Sequence, residues 1–264
     1  SRADSGDGDA EIAGRAWAAA LRLAGPVPEN DAAGVRLIGL LDRFYQAGRR
    51  QDTPIGSYSE YETALVRFAA AGPESTLTAA DLLAPENPAL AIELVAHSEA
   101  SAEALLVRAV AAAELDDFAL AVSLFDRLAT EWGRDAASFD VADRSRLVQA
   151  LTDVGRFAEA EVTCRATLAE LDAGRADCPA GDFDHWRHVY HLLGHRLASQ
   201  QGDYRRAWEQ LRAAAAVPDA GQPAELRRSI LRVRVLLADR DQAPELLVQL
   251  RQLASADPYD TAYP

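Results

Sequence analysis

Three stretches of this chain carry the same pattern. They are Leu115-Asp-Asp-Phe118-Ala-Leu-Ala121-Val-Ser-Leu-Phe125, Val154-Gly-Arg-Phe157-Ala-Glu-Ala160-Glu-Val-Thr-Cys164 and Gln201-Gly-Asp-Tyr204-Arg-Arg-Ala207-Trp-Glu-Gln-Leu211. Each gives a turn, an aromatic, an alanine three residues later and a medium or large apolar residue four further on. The aromatic recurs after 39 and then 47 residues. A degraded fourth copy runs Ala238-Asp-Arg-Asp-Gln-Ala243-Pro-Glu-Leu-Leu247. Recurrence at this length marks copies of one supersecondary unit, none of which can bury its apolar face alone. The pattern predicts helical hairpins turning near Asp116, Gly155, Gly202 and Arg240. Ala121, Ala160 and Ala207 are expected to be buried where helices approach closely.

The rest of the chain also reads as helix. Alanine, leucine and arginine dominate, all strong helix formers, and no segment shows the alternation of a half-buried strand. With 49% hydrophobic residues the chain has the material for a core. Residues 1–9 are acidic, Gly-rich and expected to be disordered. Residues 10–97 form an N-terminal helical region. A first helix is predicted from about Glu11 and stops at Gly25-Pro26, and a second runs from about Asp31 to Ala47. Ser59 with Glu62, and Thr78 with Asp81, have capping-box spacing and predict two helix starts. Asn87-Pro88 predicts a third, with Asn as the cap and Pro at the first helical position. The repeat region then occupies residues 98–264.

The repeated segments resemble the tetratricopeptide repeat, in a degenerate, long-repeat form similar in style to helical repeats of bacterial regulators and scaffolds. The resemblance rests on the turn, on Phe118, Phe157 and Tyr204, which would lock the turn end, and on the three alanines. It implies an all-α fold of stacked antiparallel hairpins, an α-solenoid with an N-terminal helical cap. The spacing exceeds the family's period of about 34 residues, so longer loops are expected near Trp132–Ser138 and Ala173–Asp184. The first helix of each hairpin would line a concave groove. Here that means Glu103, Leu106 and Val110, then Arg146 and Gln149, then Leu192, Arg196 and Ser199.

Charge and absent residues narrow the chemistry. The net charge of −14 repels a phosphate backbone, so nucleic acid is an unsuitable partner. Arg227, Arg228, Arg232 and Arg234 form the one Arg-rich stretch, read as a solvated face around Leu226, Ile230, Val233 and Leu237, with an acidic ligand as the alternative. All 27 basic residues are arginine, which removes a P-loop, a Schiff base and a lysine general base. Cys164 and Cys178 are too few for a disulfide framework. No stretch reaches the roughly 18 apolar residues of a membrane span. The acidic start is unlike a signal peptide, and a cytoplasmic location is expected. A chain that has no methionine and begins at Ser1 is expected to be a processed or trimmed piece.

The strongest local anomaly is the segment 182–195, which holds His185, His188, His191 and His195. On a helix, His188, His191 and His195 share a face, and the i, i+4 spacing of the last two suits a shared metal. Asp184 or Cys178 could complete such a site. The glutamate of a His-Glu-x-x-His protease is replaced by Leu192, and projection onto the repeat puts His191 and His195 at inter-helix packing positions, so packing or hydrogen-bonded histidines are the expected reading and a metal or ligand site is the alternative. No motif for a nucleophile, a nucleotide or a cofactor is present. The expected function is therefore a non-enzymatic scaffold or sensor that holds a protein or peptide, without cofactor. The alternative is a ligand- or metal-responsive regulatory domain built on the histidines.

Overall fold

The computed structural model describes residues 28, 30–50, 58–96, 98, 101–218, 224–238 and 242–255. Among them are twelve α-helices, two single 3-10 turns (Ala136–Ser138 and Ala180–Asp182) and no strand. The helix expected near Glu11, the acidic start and the turn at Arg240 lie outside the described residues. The chain divides into two compact units, one ending at Gly133 and the other beginning at Arg134. The first repeated hairpin thus groups with the N-terminal helices.

The first unit contains α1 (Asp31–Arg50), α2 (Tyr58–Ala69), α3 (Pro73–Leu83), α4 (Pro88–Leu94), α5 (Ala102–Glu114) and α6 (Phe118–Trp132). Its core is built from Ile38, Leu41, Leu65, Phe68, Leu83 and Val110, with Leu106 packed against it. One long-range cap ties α1 to α3. The Asp31 carboxylate accepts hydrogen bonds from the backbone N–H groups of Glu74 (2.9 Å) and Ser75 (2.7 Å), two of the donors a helix start leaves unsatisfied. A Cβ at Gly34 would overlap Ser75 Oγ, so glycine is what lets α1 lie this close to α3. Asn87 caps α4 as expected, its side chain accepting from Leu90 N–H at 3.3 Å. The capping box at Thr78 is not formed. Because α3 already starts at Pro73, Thr78 lies inside it and donates back to the Glu74 carbonyl at 2.8 Å.

The second unit contains α7 (Val141–Asp153), α8 (Phe157–Asp172), α9 (Phe183–Gln200), α10 (Tyr204–Ala216), α11 (Ala224–Leu237) and α12 (Ala243–Ser255). They form the consecutive hairpins α7–α8, α9–α10 and α11–α12, and α9 packs on both α7 and α8. The long connections expected near Trp132–Ser138 and Ala173–Asp184 are present. The first is held by buried Arg144, which donates to the carbonyls of Phe139 (2.7 Å) and Ala137 (3.1 Å) and to Glu170 (2.5 Å). Tyr190, fully buried on α9, donates to the Val141 carbonyl at 2.8 Å and so fixes α9 to the start of α7.

The three repeated turns are built alike. Asp116, Gly155 and Gly202 sit at φ 58°, 82° and 75°, in the left-handed region. In each, the next residue's N–H reaches back five residues: Asp117 to Ala112 (2.9 Å), Arg156 to Leu151 (2.8 Å) and Asp203 to Ala198 (2.9 Å). The left-handed residue bonds back three, to Ala113, Thr152 and Ser199. This paired closure satisfies helix-end carbonyls and reverses the chain. Ala121, Ala160 and Ala207 are 0%, 0% and 3% exposed, buried as the pattern predicts. The aromatics behave differently. Phe118 and Phe157 are half-buried, but Tyr204 is 75% exposed and locks nothing.

Two outcomes test this construction. Asp116 occupies a backbone conformation that costs an L side chain energy and that the other two turns give to glycine. Asp116→Gly is expected to raise stability by up to about 1 kcal/mol in chemical denaturation; a loss would show that the Asp116 side chain contributes more than its backbone costs. Ala160→Leu overpacks a closed contact and is expected to cost about 1–3 kcal/mol. An unchanged melting temperature would mean that the repeat register is wrong.

Candidate functional site

In the second unit α9 packs beside α7, and single side chains reach from α9 to α11, which packs mainly on α10 and α12. Arg196 on α9 donates to Asp153 at the end of α7 at 2.7 Å. His188 on α9 meets Ser229 on α11, and Leu192 packs in a cluster with Leu211 and Ala214 of α10 and Val233 and Leu237 of α11. Helix α7 carries Arg146, Gln149 and Asp153, and α9 carries Arg196 and Ser199. Arg146 lies 3.8 Å from Asp143. Arg196 is well exposed, and Asp153 is mostly covered. Asp153 Oδ1 takes the Arg196 bond, while Asp153 Oδ2 is buried without a hydrogen-bond partner among the described residues. A buried acceptor left in this state is costly and needs a donor.

The remaining groove residues predicted from sequence belong to the first unit and do not form an open groove there. Val110 is 3% exposed and sits in the core, with Leu106 against it. The reason is that α5 packs on α3 and α4, which cover the face expected to be free. Glu103 is exposed on the first turn of α5. Leu192 is also partly spent, since its side chain fills the α9–α11 contact.

The histidines form a ladder. His188 Nδ1 lies 3.0 Å from the Ala214 carbonyl, His191 Nδ1 2.9 Å from Gln210 Oε1, and His195 Nδ1 3.0 Å from the Ala207 carbonyl. Partner numbers fall as histidine numbers rise, so α9 and α10 run antiparallel. A carbonyl oxygen only accepts, so Nδ1 carries the proton and donates in His188 and His195. In neutral His188 that leaves Nε2 as an acceptor, and the Ser229 hydroxyl donates to it at 2.8 Å. Gly194 belongs to the same interface: a Cβ there would come within 3.0 Å of Gln210 Oε1, the atom that His191 uses.

This is the geometry expected of packing, hydrogen-bonded histidines. Both ring nitrogens of His188 are engaged inside the protein, and no group of three metal-ligating side chains is assembled among the described residues. Asp184 pairs with Arg187 at 3.0 Å instead. The signal for the ladder was the shared helical face of the three histidines; what sequence could not supply was their acceptors, 12 to 26 residues away.

A cleft of about 90 Å³ opens between α8, α9 and α10, beside Cys164, Gly194 and Gln210. Glu161 bridges Arg165 and Arg206 at its edge, and those arginines hold its carboxyl below the usual range, the Arg206 hydrogen bond first. Cys164 is buried, and desolvation pushes its thiol up to about 11, so it stays protonated at neutral pH and is a poor nucleophile. Both cysteines are free. No helix among the described residues is long and apolar enough to cross a membrane.

The ladder gives a pH prediction. Burial lowers the His188 pKa from its ordinary 6.5, with the Ala214 bond opposing and His185 and His191 adding to the fall. Below about pH 6.5 the unfolded chain therefore binds a proton that the folded chain resists, so stability rises with pH across that window. Folding free energy is expected to be intact at pH 7 and to decline as pH drops below about 6.5. His188→Leu removes this titration. It should be less stable at pH 7 by about 1–3 kcal/mol, through the orphaned Ala214 and Ser229 groups, yet lose less than the parent between pH 7 and 5. Parallel pH profiles for the two proteins would show that His188 is not the group involved.

Compared with known proteins, the chain matches no family model, no curated protein and no solved structure.

Proposed function

We propose that this chain is a binding module of tetratricopeptide-like hairpins that holds a protein or peptide segment against the first-helix face of its second unit, without catalysis. One observation carries the reading: α9 packs on α7 and is joined to it by Arg196–Asp153, while His188–Ser229 links it to α11. Stacking of this kind leaves an extended surface, not a closed pocket, and extended surfaces suit extended ligands. The groups on it are those a peptide backbone and side chains use. Gln149 both donates and accepts, and Arg146 and Arg196 are donors. A regulatory role with a partner segment as the ligand falls within the same reading.

The test uses the whole chain. Peptides selected from a random display library would be remade synthetically and titrated against the parent and against Arg146→Gln/Arg196→Gln. Asp153 and both members of the Arg146–Asp143 pair are mostly covered, so circular dichroism and melting first establish that the double variant keeps its fold. Affinity is expected to fall about tenfold or more as two charge-assisted contacts are lost. Full affinity in the folded variant would place the binding surface elsewhere. Reproducible turnover by the purified chain, abolished by one His or Asp change, would overturn the non-enzymatic reading.

A further inference from the structure

We infer a second docking face, separate from the first-helix face: the outer stripe of α10 holds an extended, proline-rich segment that carries an acidic residue. The stripe is Tyr204, Trp208 and Arg212, spaced four apart, so each lies one turn beyond the last on one side of the helix. The inward positions are filled by Ala207, Leu211 and Ala214, all buried. Tyr204 is 75% exposed and Trp208 43%. The Arg212 guanidinium lies over the Trp208 ring, 5.8 Å from its centroid, and extends the flat surface. The fold makes little use of these side chains. Where Tyr204 stands in solvent, the other hairpins have half-buried Phe118 and Phe157. Where Trp208 stands, they have buried Val122 and Arg206-paired Glu161. Among the described residues, neither the Tyr204 hydroxyl nor the Trp208 indole N–H has a hydrogen-bond partner. Tyr, Trp and Arg are also the residue types on which binding energy concentrates.

The groups on the stripe select the occupant. Two flat rings suit the flat ring of proline, and two uncommitted donors need acceptors. A polyproline II segment supplies both, because it has no internal hydrogen bonds and leaves its carbonyls open. The spacing agrees. Tyr204 and Trp208 are about 6 Å apart along the α10 axis, and two residues of polyproline II advance about 6.2 Å. Two of its three side-chain rows face any one surface, so residues two apart both meet the stripe. A helical partner spends its backbone carbonyls on itself and offers none to these donors. Charge fixes the last position. Arg205 is committed to Glu209 at 3.3 Å and Arg206 to Glu161 at 3.0 Å. Arg212 has no carboxylate partner among the described residues, so one acidic side chain of the ligand meets it. Single-stranded nucleic acid also stacks on aromatic rings. One uncommitted arginine does not offset a molecular charge of −14 against a run of phosphates.

The experiment offers a random display library of peptides to the whole chain and discards every binder that Tyr204→Ala/Trp208→Ala also captures. The survivors are made synthetically and titrated against the parent, Tyr204→Ala, Trp208→Ala, Arg212→Glu and Arg146→Gln/Arg196→Gln. Circular dichroism and melting check each fold. Should the double alanine variant lose its fold, Tyr204→Ala and Arg212→Glu, both at exposed positions, replace it in the subtraction. The expected survivors are rich in proline and carry an Asp or Glu. Affinity is expected to fall about tenfold or more in Trp208→Ala and about fivefold in Tyr204→Ala. Arg212→Glu should cost about tenfold, and the parent's affinity should drop as salt is added. Arg146→Gln/Arg196→Gln should bind these peptides as the parent does; an equal loss there would show one site instead of two and overturn the inference. Survivors without proline, or none at all, would overturn it and leave the first-helix face to be judged by its own test. A single-stranded oligonucleotide that displaces the peptides at similar concentration would overturn it in favour of nucleic acid.

Discussion

A backbone that enters the left-handed region cannot continue a right-handed helix, so the place of one residue fixes where each hairpin reverses. Asp116, Gly155 and Gly202 are those residues, and much of the second half of the chain is measured from them. Each is followed five positions later by a buried alanine. The close approach of the returning helix therefore falls at the same height in every hairpin. The bonds closing each turn also consume carbonyls at the end of the first helix. A turn displaced by one residue would leave those carbonyls unsatisfied and rotate the alanine off the contact by about 100°. Turn geometry and packing thus constrain each other, and the aromatic is the dispensable member. Tyr204 stands in solvent while its turn is the same as the other two.

This dependence explains what could be read in advance. The turns and the alanines are local: residues three to five apart set them, and a repeat displays them three times. Helix type was legible for the same reason. The failures share the opposite cause. Thr78 and Asp81 have the spacing of a capping box, but Pro73 begins the helix earlier and leaves Thr78 to bond back to Glu74. Leu106 and Val110 have the periodicity of a groove, but α3 and α4 cover them. Asp31 gave no local sign that it caps a helix 43 residues away. Where a partner lies within one hairpin, spacing reveals it; where another hairpin supplies it, only the folded chain does.

The candidate surface was legible in part on these terms. Arg146, Gln149, Arg196 and Ser199 were named from their place on first helices and lie on α7 and α9, two helices the structure packs together. Asp153 was missed, although it pairs with Arg196. It sits at the very end of α7, where an aspartate reads as part of a turn. The arginines of α11 were noticed as a cluster, but spacing did not show that Arg234 is spent on the carbonyls of Ala215 and Val217.

The histidines occupy helix contacts that apolar residues commonly fill, and what they add is specificity. An interface of leucine and alanine tolerates sliding by a turn, because one methyl contact resembles another. Three imidazoles aimed at Ala214, Gln210 and Ala207 do not. Each bond contributes only about 0.5–1.5 kcal/mol net, but each buried polar group left unpaired by a slip costs about 1–3 kcal/mol. Neighbouring registers are therefore penalised more than the native one is rewarded. Ser229 extends the argument to the next hairpin, since the second nitrogen of His188 fixes α11 against α9. The residues that look most like a ligand site in the sequence instead set the relative height of α9, α10 and α11.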